Sequence, residues 1–175
     1  MKEKTDKIQA IFTGSSIQSN SQKAAALFGS KRLGEIKNGK TIYSTYEVLY
    51  LLEKNQIIIR QKNKQLKFEE LLKKASKQDK KIYIKYLVFK DLRNRGYIIK
   101  TALKFGADFR VYEKGAKPGQ EHAKWILYCV SENEKLSWHD FSAKQRVAHS
   151  TKKNLLIAVV DEEEDITYYE VSWIK

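Results

Sequence analysis

Residues 82–112 read IYIKYLVFKDLRNRGYIIKTALKFGADFRVY, and the period of their apolar positions changes part-way along. Ile82, Tyr86, Phe89 and Leu92 recur at intervals of three and four, the spacing of one helix face. The helix is predicted to run to Arg95, with Gly96 standing where a C-terminal cap belongs. Beyond Gly96 short apolar runs replace the helical period. Residues 97–103, 108–112, 125–130, 155–160 and 166–173 read as strands, with one helix over about 139–150 between the third and fourth. A helix, then strands, then a helix and more strands predicts a mixed-sheet α/β layer.

Upstream, the chain mixes short elements. Residues 8–12 read as an edge strand, 21–28 as a short helix started by Ser21, and 57–59 as a buried strand. Asn38-Gly39 between two short runs signals a type I′ hairpin. Ser44 and Glu47 have the spacing of a capping box, opening a helix with Val48, Leu51 and Leu52 on one face. Another short helix is predicted over 68–75. Five of the nine residues in 73–81 are lysine, making this stretch the natural boundary. The expectation is a small N-terminal α+β domain, 1–80, followed by a mixed-sheet domain, 81–175. No internal repeat or low-complexity segment is present.

The composition is that of a folded chain: 42% hydrophobic residues, eight glycines and one proline. The longest purely apolar run, 155–160, is far short of the roughly 20 residues that cross a bilayer. The charged start, MKEK, lacks the apolar core of a signal peptide. A soluble, cytoplasmic protein without membrane partners is therefore expected. A single cysteine, Cys129, excludes an internal disulfide framework and reads as a buried, inert thiol. Thirty-four Lys and Arg against 21 Asp and Glu leave a net charge of +13. A field of that sign attracts polyanions, of which RNA and DNA are the usual ones. A lysine-rich proteome explains high lysine better than it explains the imbalance.

No phosphate-binding glycine loop, dinucleotide turn or CxxC pair is present. His122, His139 and His149 are too scattered in sequence to suggest a zinc site. The acidic run Asp161, Glu162, Glu163, Glu164 and Asp165 could hold a divalent cation, but between two strands a charged turn is the commoner reading. No metal and no cofactor are expected.

The region 96–115 reads GYIIKTALKFGADFRVYEKG, followed by Glu121-His122 and by RVAHSTKK over 146–153. In these blocks the sequence resembles the archaeal tRNA-intron endonucleases, whose catalytic domain carries GYxxKxxxKFGADFRxYExG, then EH, then RVAHSxRK. The match is dense and collinear over about 80–175. Residues 46–53, YEVLYLLE, resemble the family's N-terminal domain more loosely. The resemblance implies a restriction-endonuclease-like fold for the second domain and a catalytic trio of Tyr112, His122 and Lys153. Lys152 stands where relatives often have Arg and keeps the charge. Its implied substrate is precursor tRNA folded as a bulge–helix–bulge.

The implied chemistry is coherent. Metal-free RNA cleavage uses the neighbouring 2′-hydroxyl as nucleophile, so one group must take a proton, one must give a proton, and charge must be held at the phosphorane. Histidine titrates near neutrality and suits protonation of the departing 5′-oxygen. Lysine supplies positive charge. Tyrosine ordinarily titrates near 10, so its role as base calls for a neighbouring cation such as Lys153. A 2′,3′-cyclic phosphate and a 5′-hydroxyl would result. The resemblance further implies that Arg146, with Trp173 as a second planar group, clamps a flipped bulge base. Trp173 reads equally well as a core or interface aromatic. His149 is read as structural and His139 as a surface residue.

Two cuts related by pseudo-symmetry need two sites, so the family resemblance implies a homotetramer or a heterotetramer with a structural paralogue. The acidic run at 161–165 matches a turn that relatives insert into a neighbour's basic pocket, and the apolar 171–174 stretch could pair across a dimer face. Two rival readings stand beside this one. The first is a non-catalytic RNA-binding or structural subunit. The second is a metal-dependent nuclease of the same fold, for which no well-placed Asp and Glu-x-Lys set is found.

Overall fold

The computed structural model describes residues 7–174, so the charged start lies outside the described residues. The chain divides into two compact units, one up to Tyr86 and one from Leu87. Among the described residues are five α-helices and two sheets, a mixed α+β architecture. No helix among them is long and apolar enough to cross a membrane.

The first unit contains β1 (Ile8–Phe12), β2 (Ile17–Ser19), α1 (Gln22–Lys31), β3 (Glu35–Lys37), β4 (Lys40–Tyr43), α2 (Thr45–Glu53), β5 (Ile57–Gln61), β6 (Lys64–Leu66) and α3 (Phe68–Ser76). Its sheet has the order β3-β4-β2-β1-β5-β6. The strand expected at an edge, β1, is interior, antiparallel to β2 and parallel to β5. Its alternation, with Ile8 and Ala10 buried and Ile11 exposed, reports which face is covered but not how many edges are paired. β2 and β6 have three residues each, too few to leave a periodic signal. The Asn38-Gly39 turn has φ of 49° and 72°, the two left-handed residues of a type I′ hairpin between β3 and β4.

The predicted capping box at the start of α2 is present, and Glu47 has a second task. Its carboxylate accepts from the backbone N–H groups of Ser44 and Gly34, each at 2.9 Å, while the residue is only 3% exposed. Replacing Glu47 by Ala leaves those two donors without this acceptor, at about 1–3 kcal/mol apiece. A drop of about 2–6 kcal/mol in unfolding free energy by denaturant titration is therefore expected. A variant within about 0.5 kcal/mol of the parent would refute this account.

The second unit begins within α4 (Ile82–Asn94) and continues through β7 (Ile98–Thr101), a 3-10 turn (Leu103–Phe105), β8 (Phe109–Tyr112), β9 (Trp125–Ser131), α5 (Trp138–Ser150), β10 (Asn154–Val160) and β11 (Ile166–Val171). Gly96, at φ 94°, ends α4 as expected, its N–H bonding Arg93 O at 3.1 Å. The strand expected over 97–103 stops at Thr101, because the chain turns at the 3-10 segment and leaves Leu103 83% exposed. The last strand likewise stops at Val171, short of Trp173.

The sheet order is β11-β10-β9-β8-β7, and every neighbouring pair is antiparallel except β9 and β10. Their crossover is α5, which covers one face through Ala148 against Ile126, Tyr128, Leu155 and Ile157. On the other face lies the second half of α4, with Phe89 and Phe109 ring centroids 6.0 Å apart and Tyr168 Oη donating to Asp91 at 2.8 Å. Cys129 is buried, as its apolar run implied.

Candidate active site

Strand directions bring the three candidate catalytic residues to one end of the second sheet. β8 runs antiparallel to β9, so its last residue, Tyr112, lies beside the start of β9, with Val111 opposite Trp125. β9 and β10 are parallel and in register from Trp125 and Asn154. The segment leading into β9 carries His122, and the residue before β10 is Lys153. Two backbone bonds tie the three segments: Lys124 N–H to Val111 O at 2.9 Å and Asn154 N–H to Lys124 O at 3.0 Å. A third, Lys153 N–H to Ala148 O at 2.9 Å, fixes the turn out of α5.

Tyr112 is 4% exposed and packs with Ile98, Ala116 and Ala123, the last adjacent to His122. His122 itself is exposed. The loop before it folds back at Gly119, whose φ is 98°, and the Glu121 carboxylate accepts from Lys117 N–H at 2.7 Å. The glutamate of the EH pair thus closes the loop that delivers the histidine.

Lys153 is half-buried, not a solvated surface charge. Its amine donates to Thr151 O at 2.7 Å and lies 5.9 Å from the Phe105 ring centroid. Arg110 lies 6.0 Å from the same ring. Burial, and then repulsion from Arg110, hold the Lys153 ammonium below the usual lysine range, so it gives up its proton more readily than a free lysine. Arg110 was not singled out from the sequence. Its position two residues from Tyr112 on one strand puts both on the same face, which is the signal that could have found it.

A second group gathers at this end. Val171 of β11 pairs with Leu155, so Trp173 lies beyond the ladder on the same side as Lys153. Arg146 and His149, both exposed, are three residues apart on α5. The Trp173 indole, 58% exposed, meets the His149 ring at 4.4 Å between centroids and 62° between planes. His139 is exposed, at the opposite end of α5.

The acidic run lies away from this group, as the turn between β10 and β11. Asp161 organises it, its Oδ1 accepting from Glu163 N–H at 3.0 Å and Asp165 N–H at 2.8 Å. Glu162 N–H donates to Glu132 at 2.8 Å, and Asn133 donates to Glu162 at 3.1 Å. Glu162 to Asp165 are exposed. Among the described residues no group of three or more His, Cys, Asp or Glu side chains is arranged to hold a metal ion.

Residues 82–168 match the family model described as tRNA intron endonuclease, catalytic C-terminal domain. The tRNA-splicing endonuclease of Pyrococcus horikoshii is 44% identical over 169 residues, covering 96% of this chain and 97% of that protein. The chain belongs to the tRNA-splicing endonuclease family. The tRNA-splicing endonucleases of Methanothermobacter thermautotrophicus and Nanoarchaeum equitans are 41% and 43% identical, over 87% and 85% of this chain. Similarity to the Pyrococcus protein runs through the N-terminal half, where sequence blocks alone carried only a loose resemblance. Endonucleolytic tRNA splicing is the activity of this family, and the end of the sheet carrying Tyr112 and Lys153 lies within the matched residues.

Proposed function

We propose that this chain cuts precursor tRNA at bulge–helix–bulge junctions, with the 2′-hydroxyl beside each cut as nucleophile. Tyr112, as the phenolate, takes the proton of that hydroxyl. His122, as the imidazolium, gives one to the departing 5′-oxygen. Lys153, with its amine held by Thr151, offers positive charge to the phosphorane. The P–O5′ bond breaks as the P–O2′ bond forms, leaving a 2′,3′-cyclic phosphate and a 5′-hydroxyl. No metal takes part. The convergence of the three residues on backbone-tied segments at one sheet end carries this reading.

Exposed Arg146 and Trp173 fit a role in stacking on an unpaired bulge base, recognition by shape more than by sequence. Two cuts per intron call for two such sites, hence a homotetramer or an assembly with a structural paralogue, acting in the cytoplasm of an archaeon. In that assembly the 161–165 turn would dock into a basic pocket of a neighbour, steered by charge on a +13 chain. Catalysis is assigned to the C-terminal domain, with the N-terminal domain outside the chemistry.

The test is cleavage of a bulge–helix–bulge RNA by purified protein in excess EDTA, with the mass of the active species measured on the same sample. Cleavage is expected to survive chelation in a tetramer. Loss in EDTA with recovery on adding Mg²⁺ would favour the metal-dependent nuclease. RNA binding with no cut product would make this a non-catalytic subunit.

A further inference from the structure

We infer that His149 is a positioning residue: it holds the Trp173 indole against the α5 surface that carries Arg146, ready to receive an unpaired RNA base. This rests on reading Trp173 as a base-stacking group.

The last paired residue of β11 is Val171, so Trp173 lies two residues past the sheet ladder. A tryptophan outside a sheet ladder is ordinarily free to turn. Here its ring instead meets the His149 imidazole at 4.4 Å and 62°, an edge-to-face arrangement that favours aromatic pairs beyond simple burial. The indole is nevertheless 58% exposed, so the contact leaves much of the ring open to a ligand.

The helix supplies the rest of the arrangement. His149 lies in the last turn of α5, three residues from Arg146, and residues at that spacing share a face with Cβ atoms about 5–6 Å apart. Guanidinium, imidazole and indole therefore form one patch of planar groups, four residues from Lys153. Two of them can stack on a base, and the third fixes where the indole waits. A tryptophan ordered only on binding forfeits roughly two- to tenfold in affinity. His149 removes that loss in the free protein, so its effect belongs to binding and not to the chemical step.

The test compares His149→Ala, His149→Phe, Trp173→Ala and the double variant His149→Ala/Trp173→Ala in steady-state cleavage of bulged RNA. Acrylamide quenching of the Trp173 fluorescence, taken as the difference from Trp173→Ala, reports how the indole is held. His149→Ala is expected to raise KM roughly two- to tenfold with kcat unchanged and to increase quenching. His149→Phe, which keeps a ring in place, is expected to restore both. The double variant should be no weaker than Trp173→Ala alone. If Trp173→Ala raises KM while His149→Ala does not, the positioning role is wrong and the stacking reading stands. If Trp173→Ala leaves KM unchanged, the stacking reading fails and the inference with it. A fall in kcat that His149→Phe does not repair would place His149 in the chemistry or the fold and overturn the inference.

Discussion

Replacing His122 by alanine is expected to slow cleavage of a bulged RNA by about 10²–10⁴-fold, the usual worth of a positioned general acid, with RNA affinity nearly unchanged. The imidazole is exposed, so its removal opens no cavity, while Ala123 keeps its place beside Tyr112. Loss of rate can then be separated from loss of fold. The loop turn is held by Glu121 accepting from Lys117, a bond that does not involve the histidine. A chemically modified substrate sharpens the result. If the 5′-oxygen at the cut is replaced by sulfur, the leaving group no longer needs a proton. The His122→Ala enzyme should then cleave the modified RNA nearly as fast as the parent does. Full activity of the variant on ordinary RNA would remove His122 from the mechanism. An equal defect on the sulfur substrate would assign it some role other than proton donor.

The second large effect concerns the substrate. A single 2′-deoxy nucleotide immediately 5′ of one cut should abolish cleavage there and leave the other junction cut normally. The nucleophile is missing, and nothing in the proposed roles of Tyr112, His122 or Lys153 directs a water to replace it. Gel analysis of the singly cut product, with its end tested for a cyclic phosphate, reads the outcome. A modified junction that is still cut would mean attack by water and would end the 2′-hydroxyl mechanism. Because a hydroxyl-to-hydrogen change hardly alters the RNA fold, binding of the modified RNA serves as the internal control.

Much of the fold in both units was legible because its signals are local and strong. The change from helical to strand spacing at Gly96, the Asn38-Gly39 turn and the Ser44–Glu47 box each depend on a few adjacent residues, and each is present. What could not be read was pairing. The burial alternation of β1 is the same whether one edge or two are bonded, so its interior place had to come from the fold. Strand ends were overrun for a related reason. Apolar character continues through Leu103 and Trp173, but the backbone turns away at the 3-10 segment and beyond Val171. For the candidate site, motif blocks named the residues, while parallel pairing of β9 with β10 is what brings the segment after His122 beside the start of β10, which Lys153 precedes. The half-burial of Lys153 was invisible in a lysine-rich stretch, and Arg110 was legible only through its place two residues from Tyr112.

The acidic turn and Lys153 cap opposite ends of β10, whose seven residues span about 23 Å at a strand's rise. A stiff rod of that length insulates its tips from one another. In the assembly proposed above, sequence drift in the turn can rewrite which surface it recognises without disturbing the end of the strand beside Lys153. Under that proposal a duplicated copy could lose one tip, keep the other, and still join the assembly. Specialised, mutually dependent subunits become accessible by small evolutionary steps from a chain laid out this way.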